Sequence, residues 1–301
     1  MSVLVTTTDG YHILTSSGRQ LHSLAGHHVE CFTPGPDGTF LAVIDRHEVW
    51  SHGTDGEWTP LAKSEATLTA VVAAGDTVFA GTNDARVLRL GSSGALEPLT
   101  GFDMVAGRDE WHQVGPPLQV RTMTATCDGA VVLVNVHVGG IPRSTDGGAS
   151  WHPTLDVDDD VHQVLAHPTR PEIAVAAASV GLCRSRDGGA TWTSTTEGMG
   201  MSYARGVAIV GDEVAVTVSD GPWSERASVY RASVDGGPVT RVTGGLPEFL
   251  HGNIDSRCIA SDGKVVALAD GAGDVWRSAE GFEGFERIAD GLDGVTGVAV
   301  A

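Results

Sequence analysis

The chain is poor in the residues that define several large protein classes. Only 4 cysteines and 3 tyrosines occur in 301 residues. Cys31, Cys127, Cys183 and Cys258 lie 96, 56 and 75 residues apart and form no CxxC pair. That spacing excludes a cysteine metal site and a disulfide framework, and the apolar run around each cysteine points to a buried thiol. Basic residues are also scarce, 19 Lys and Arg against 38 Asp and Glu. The resulting formal charge of −19 repels phosphate backbones and anionic lipid surfaces, so neither nucleic acid nor membrane is an expected partner. Long apolar runs are missing: MSVLVTTTDG at the N-terminus has no basic lead and meets threonine and aspartate within a few residues. A signal peptide or anchor is therefore not expected, and a cytoplasmic monomer is the default reading.

Glycine is plentiful. Its 40 copies, with 41% hydrophobic residues, describe a turn-rich chain able to bury a large core, read as one domain over 1–301. Self-similarity then sets the architecture. IPRSTDGGASWHPT at 141–154 and LCRSRDGGATWTST at 182–195 match at an offset of 41 residues. Both contain S-x-D-x-G-x-x-W, as Ser144, Asp146, Gly148, Trp151 and as Ser185, Asp187, Gly189, Trp192. Weaker copies occupy 229–240, 275–285 and 49–58. Serine and aspartate can bond the amides of their own tight turn, glycine accepts positive φ, and tryptophan covers the turn, so the motif reads as structural.

Aligned on these turns, short β-branched runs fall four to a repeat. First strands are expected at 28–35, 67–74, 120–127, 161–168, 204–211, 256–261 and 295–301. This predicts an all-β, seven-bladed β-propeller of four-stranded antiparallel blades. The last run has no successor, while the N-terminal SVLVTTTDG resembles a second strand, so the C-terminal strand is expected to join blade 1 and close the ring.

The two full motifs resemble the Asp box of the bacterial neuraminidase repeat propellers, a group that includes sialidases. The sialidase members imply six blades, an arginine triad that clamps a carboxylate, a Tyr–Glu nucleophile pair and an N-terminal Arg-Ile-Pro. Here seven blades are expected, and the Ile141–Arg143 string is internal and reversed. Sialidase-type glycoside hydrolysis is therefore disfavoured.

Loops at one end of a propeller commonly carry its site. The long ones here are 101–119, 196–204, 220–228 and 246–255. Polar residues at the adjoining strand ends include Asp160 and Asp270, and supply the candidates. Arg121, Arg205 and Arg257 could clamp an anion. His28, His137 and His162 could act as acid–base groups or hold a divalent metal ion in the channel. A catalytic set of His162, Arg205 and Asp255 would suit a hydrolase or lyase with histidine as base. Tyr203 and Asp220 add ligand contacts, and Trp111 and Trp223 are expected to stack on a ligand from the long loops. The DVDDD run at 156–160 lacks the glycine and terminal glutamate of an EF-hand loop and reads as a solvated turn. A small anionic or polar ligand is one expectation, and a non-catalytic scaffold gripping a protein partner is the other.

Overall fold

In a computed structural model that describes residues 2–15, 20–115 and 117–301, the β-branched runs pair into seven antiparallel sheets, the blades of a seven-bladed β-propeller. Blade 1 orders Val295–Val300, Ser2–Thr7, Tyr11–Thr15 and Gln20–Ser23. Blade 2 follows with Val29–Pro34, Phe40–Ile44, Glu48–His52 and Trp58–Lys63, and blade 3 with Leu68–Ala74, Thr77–Thr82, Val87–Leu90 and Leu96–Pro98. Blade 4 comprises Val120–Ala125, Val132–Val136, Pro142–Ser144 and His152–Pro153; blade 5 comprises Val161–Ala166, Ala174–Ala178, Gly181–Ser185 and Thr193–Thr195. Blade 6 runs Tyr203–Val210, Glu213–Ser219, Arg226–Ser233 and Gly236–Arg241, and blade 7 runs Ile259–Ser261, Val266–Ala269, Val275–Arg277 and Glu286–Ala289. Each expected first strand leads its sheet. The closure is also present: Val3 pairs with Val300 and Val5 with Val298.

By contacts the chain divides into two compact units. The first comprises Met1–Val29, Val175–Arg184 and Thr193–Ala301. Its apolar cores lie between blades 6 and 7, around Ile254, Leu268 and Phe282, and between blades 7 and 1, around Val3, Val5, Val275 and Val298. The second comprises Glu30–Ala174 and Ser185–Trp192. Its cores lie between blades 2 and 3, around Leu41, Val43 and Leu68, and between blades 3 and 4, around Phe79, Phe102, Trp111 and Trp151.

Both full S-x-D-x-G-x-x-W segments form the same turn between the third and fourth strands. The Ser144 hydroxyl accepts from Gly148 N at 2.9 Å and donates to Asp146 Oδ1 at 2.9 Å. Asp146 also accepts from the Ser150 amide and hydroxyl. Those Ser150 bonds, then the Ser144 hydroxyl, lower the Asp146 carboxyl to about 2. Ser185 and Asp187 repeat the arrangement, with Gly189 N donating to Ser185 at 2.8 Å. Gly148 has φ +87°, and a Cβ there would sit 2.7 Å from Leu99 Cδ1, so both conformation and space require glycine. The tryptophans differ: Trp151 is buried and donates to Gly148 O at 3.0 Å, whereas Trp192 is half-buried and donates to Thr154 Oγ1 at 3.1 Å.

A repeated irregularity marks the first strands. Pairing with the second strand skips Thr69 in blade 3, Arg121 in blade 4, Arg205 in blade 6 and Thr296 in blade 1. Each is the extra residue of a β-bulge, a device that turns one side chain out of the ladder. The threonines tie neighbouring first strands together: Thr69 donates to Val120 O at 2.6 Å and Thr296 to Val29 O at 2.5 Å. Arginine stands at the corresponding point in blades 4 and 6.

Two expectations need correction. Cys31, Cys183 and Cys258 are buried, but Cys127 is exposed, because it falls in the Thr126–Gly129 turn just after its strand ends at Ala125. Segments 101–119 and 246–255 are not plain loops. The first contains a single helical turn, Thr100–Asp103, and a 3-10 turn, Arg108–Glu110; the second contains Leu250–His251, which pairs with Arg226 and Ala227.

Candidate functional site

In every blade the start of the first strand and the end of the second lie at the same end of the sheet, as antiparallel pairing requires. In the second unit this end brings His137, Asp160 and His162 together. His137 directly follows the second strand of blade 4, with its amide donating to Gln119 O at 2.9 Å. His162 is the second residue of the first strand of blade 5. Asp160 lies between them in sequence, at the end of a 3-10 turn, Val157–Asp159, where the Asp156 side chain accepts from the Asp158 amide. It adopts a left-handed backbone, φ 44° and ψ 70°, a conformation uncommon outside glycine.

The result is one carboxylate between two imidazoles. His137 Nε2 lies 3.7 Å from Asp160 Oδ1, and His162 Nε2 lies 3.4 Å from Asp160 Oδ2. The separations are longer than good hydrogen bonds and are those of ion pairs whenever the rings are protonated. The histidines are 5% and 1% exposed, while the Asp160 side chain is 26% exposed. The carboxylate is thus the part of the cluster that meets solvent. Beside it, burial and then Asp156 push the Asp159 carboxyl above its usual range. The acidic run read as a solvated turn therefore positions the one aspartate that joins the histidines. Arg121 stands at the same end of the same unit, in its bulge.

Trp111, expected to stack on a ligand, belongs to the core. It is 8% exposed, its ring centroid is 5.8 Å from that of Phe102, and the Arg108 guanidinium covers it at 4.5 Å. Gly139 makes this possible, since a Cβ there would lie 3.1 Å from Trp111 Cδ2. The physical reason is the company the loop keeps: Phe102 and Val105 are buried with Trp111 in one cluster, so residues 102–111 are pinned by their own apolar side chains.

The first unit holds the remaining candidates. Arg205 Nε donates to Asp255 Oδ1 at 2.7 Å, and its guanidinium lies 5.6 Å from the Tyr203 ring centroid. Arg257 has a left-handed φ of 69°, and its carbonyl accepts from Val298 N. Asp220 is held within its own hairpin, first by the Ser224 hydroxyl and then by Arg226 at 3.3 Å, and these partners lower its carboxyl. Asp270 serves the backbone: it accepts from the amides of His251, Ala272 and Asp274. His28 is half-buried just ahead of Val29. Trp223 is 87% exposed. Among the described residues, no group of three or more His, Cys, Asp or Glu side chains is placed to hold a metal ion.

No family model and no curated protein matches the chain. Solved structures do. An ancestral GH74 enzyme aligns with 98% of this chain at 14% identity and a TM-score of 0.66, over 41% of its own length. The GH74 xyloglucanase of Xanthomonas campestris aligns with 87% at 14% identity and a TM-score of 0.58, over 46% of its length. Virginiamycin B lyase from Staphylococcus aureus aligns with 86% at 15% identity and a TM-score of 0.60, over 83% of its length. The chain thus spans less than half the length of either GH74 enzyme. At such identities the likeness is one of fold. No helix among the described residues is long and apolar enough to cross a membrane.

Proposed function

We propose that the chain is an Asp-box propeller that binds a small anionic or polar ligand beside Asp160, with His137 and His162 as proton-handling groups and Arg121 as the anion contact. One observation carries this reading: a residue in a costly backbone conformation holds its carboxylate against two buried imidazoles, at the end of the sheet where the first strand of blade 4 bulges at Arg121. Left-handed backbone at a non-glycine residue costs about 1–3 kcal/mol and persists where the surroundings demand it, commonly at functional sites. Imidazoles beside a carboxylate suit proton transfer, so the reaction class that fits is hydrolysis or elimination in which Asp160 faces the ligand and His162, buried behind it, shares the proton. Thermal shift with a panel of small carboxylic and phosphoric acids tests this. A ligand that raises the melting temperature of the wild type should lose most of its effect with Arg121→Ala and with His162→Ala. No shift from any acid, or a shift that both variants keep, refutes the proposal.

A second reading, a protein-binding scaffold, draws support from the loops of the first unit, where Trp223 and Phe249 are exposed.

A further inference from the structure

Trp223 is the most exposed large hydrophobic residue among those described, at 87%. It sits on the connection between the second and third strands of blade 6, and that connection is braced. Asn253 donates to Pro222 O at 2.9 Å and to Gly221 O at 3.3 Å; Gly252 N donates to Glu225 O at 2.9 Å. The Ser224 hydroxyl bonds Asp220 and Arg226 O, and Asp220 pairs with Arg226. The indole is therefore presented on a fixed support, so a partner meets it without first ordering the loop. Among the described residues nothing stacks on it.

The surroundings specify the partner's charge. Two residues after Trp223 in the chain stands Glu225, and next to Phe249 stands Glu248; both are exposed and neither makes an ion pair among the described residues. The positive charges nearby are already engaged: Arg226 pairs with Asp220 and lies 4.7 Å from the Phe249 centroid, and Arg241 lies 5.0 Å from the same ring. The Phe249 face, on the segment leading into Leu250–His251, thus already takes guanidinium groups, whereas no guanidinium covers the Trp223 face among the described residues. The whole chain carries a formal −19, which favours approach of a cationic segment.

We infer that blade 6 carries a docking surface for an arginine-bearing peptide segment of a protein partner, with an arginine stacked on Trp223 and further basic residues against Glu225 and Glu248. The inference rests on the protein-binding reading and gives it a place and a chemistry. Titration of the full chain with the peptide (Arg-Gly)6, followed by calorimetry at 0.15 M salt, tests it. Trp223→Ala keeps the net charge, so general attraction to an acidic protein is unaffected; binding should weaken about 2- to 5-fold through the lost cation–π contact. Glu225→Gln with Glu248→Gln should weaken it further than Glu57→Gln with Glu97→Gln, which removes the same charge elsewhere. Equal affinity for wild type and Trp223→Ala overturns the placement while leaving a protein-binding role elsewhere on the chain intact. Absence of binding to any peptide in a panel of cationic, neutral and acidic sequences overturns the protein-binding reading itself. Trp223-dependent binding of cellohexaose without peptide binding overturns the inference in favour of a sugar platform.

Discussion

Ser144→Ala should destabilise the protein by about 1–3 kcal/mol, and Ser150→Ala, on the other side of Asp146 in the same network, by no more than about 0.5 kcal/mol. Ser144 is 2% exposed, and its hydroxyl is the acceptor for the buried Gly148 amide at 2.9 Å. Removing it leaves that amide without its partner in a site closed by Trp151, which lies edge-on to Phe102 at 5.1 Å between ring centroids. Ser150 also bonds Asp146, at 2.6 Å through its hydroxyl, but both groups are exposed, so water substitutes at little cost. Each substitution removes one hydroxyl donor from the same carboxylate; Ser144→Ala also removes the buried acceptor of the Gly148 amide, and that lost acceptor is what the comparison isolates. Urea unfolding followed by tryptophan fluorescence and far-ultraviolet dichroism measures both variants, with an unchanged slope required for the free energies to be compared. Equal costs for the two, or a neutral Ser144→Ala, would refute the claim that the buried serine organises the turn.

Acid should weaken the fold through the turn carboxylates. Asp146 is lowered to about 2, and Asp274 and Glu48 are also lowered, by Arg287 and by the Trp50 indole respectively as the largest causes. A depressed carboxyl contributes its stability above its unfolded value near pH 4 and loses it as pH falls through the folded value, so urea midpoints should fall between about pH 4 and pH 2. Asp146→Asn should flatten that fall, and an identical pH profile would contradict it. Deleting 295–301 should expose the edge of Ser2–Thr7 and uncover Val3 and Val5, both fully buried. Size-exclusion chromatography should then show self-association, whereas a monomer with an unchanged melt would argue that the closure strand is dispensable.

The strand order and the closure were legible because they depend on local chemistry repeated at regular distance: β-branched runs, glycine at turns, and a serine–aspartate pair that bonds its own amides. The candidate site was legible only in outline. Asp160 was visible as a polar residue at a strand start, but nothing in DVDDD distinguishes it from its neighbours; its place between His137 and His162 comes with a left-handed backbone. Trp111 was misplaced for a reason that composition could have supplied. Its loop also carries Phe102 and Val105, apolar residues that bury a tryptophan with them, whereas Trp223 is surrounded by Asp220, Gly221, Pro222, Ser224 and Glu225. The arginine that precedes the motif serine shows a longer-range bond that no local rule reveals. Arg143 donates to Gly188 O at 2.8 Å and Arg184 to Ser233 O at 3.0 Å, each reaching the turn of the next blade.

The bulges in the first strands have an evolutionary consequence. A residue skipped by the ladder does not set the register of its neighbours, so its identity can change without shifting any other side chain to the wrong face. Thr69 and Thr296 spend that freedom on linking adjacent strands, while Arg121 and Arg205 place a cation at the equivalent point of their blades. Such positions act as interchangeable sockets, at which selection can exchange a strut for a charge and retune what a propeller recognises while its scaffold stays as it was.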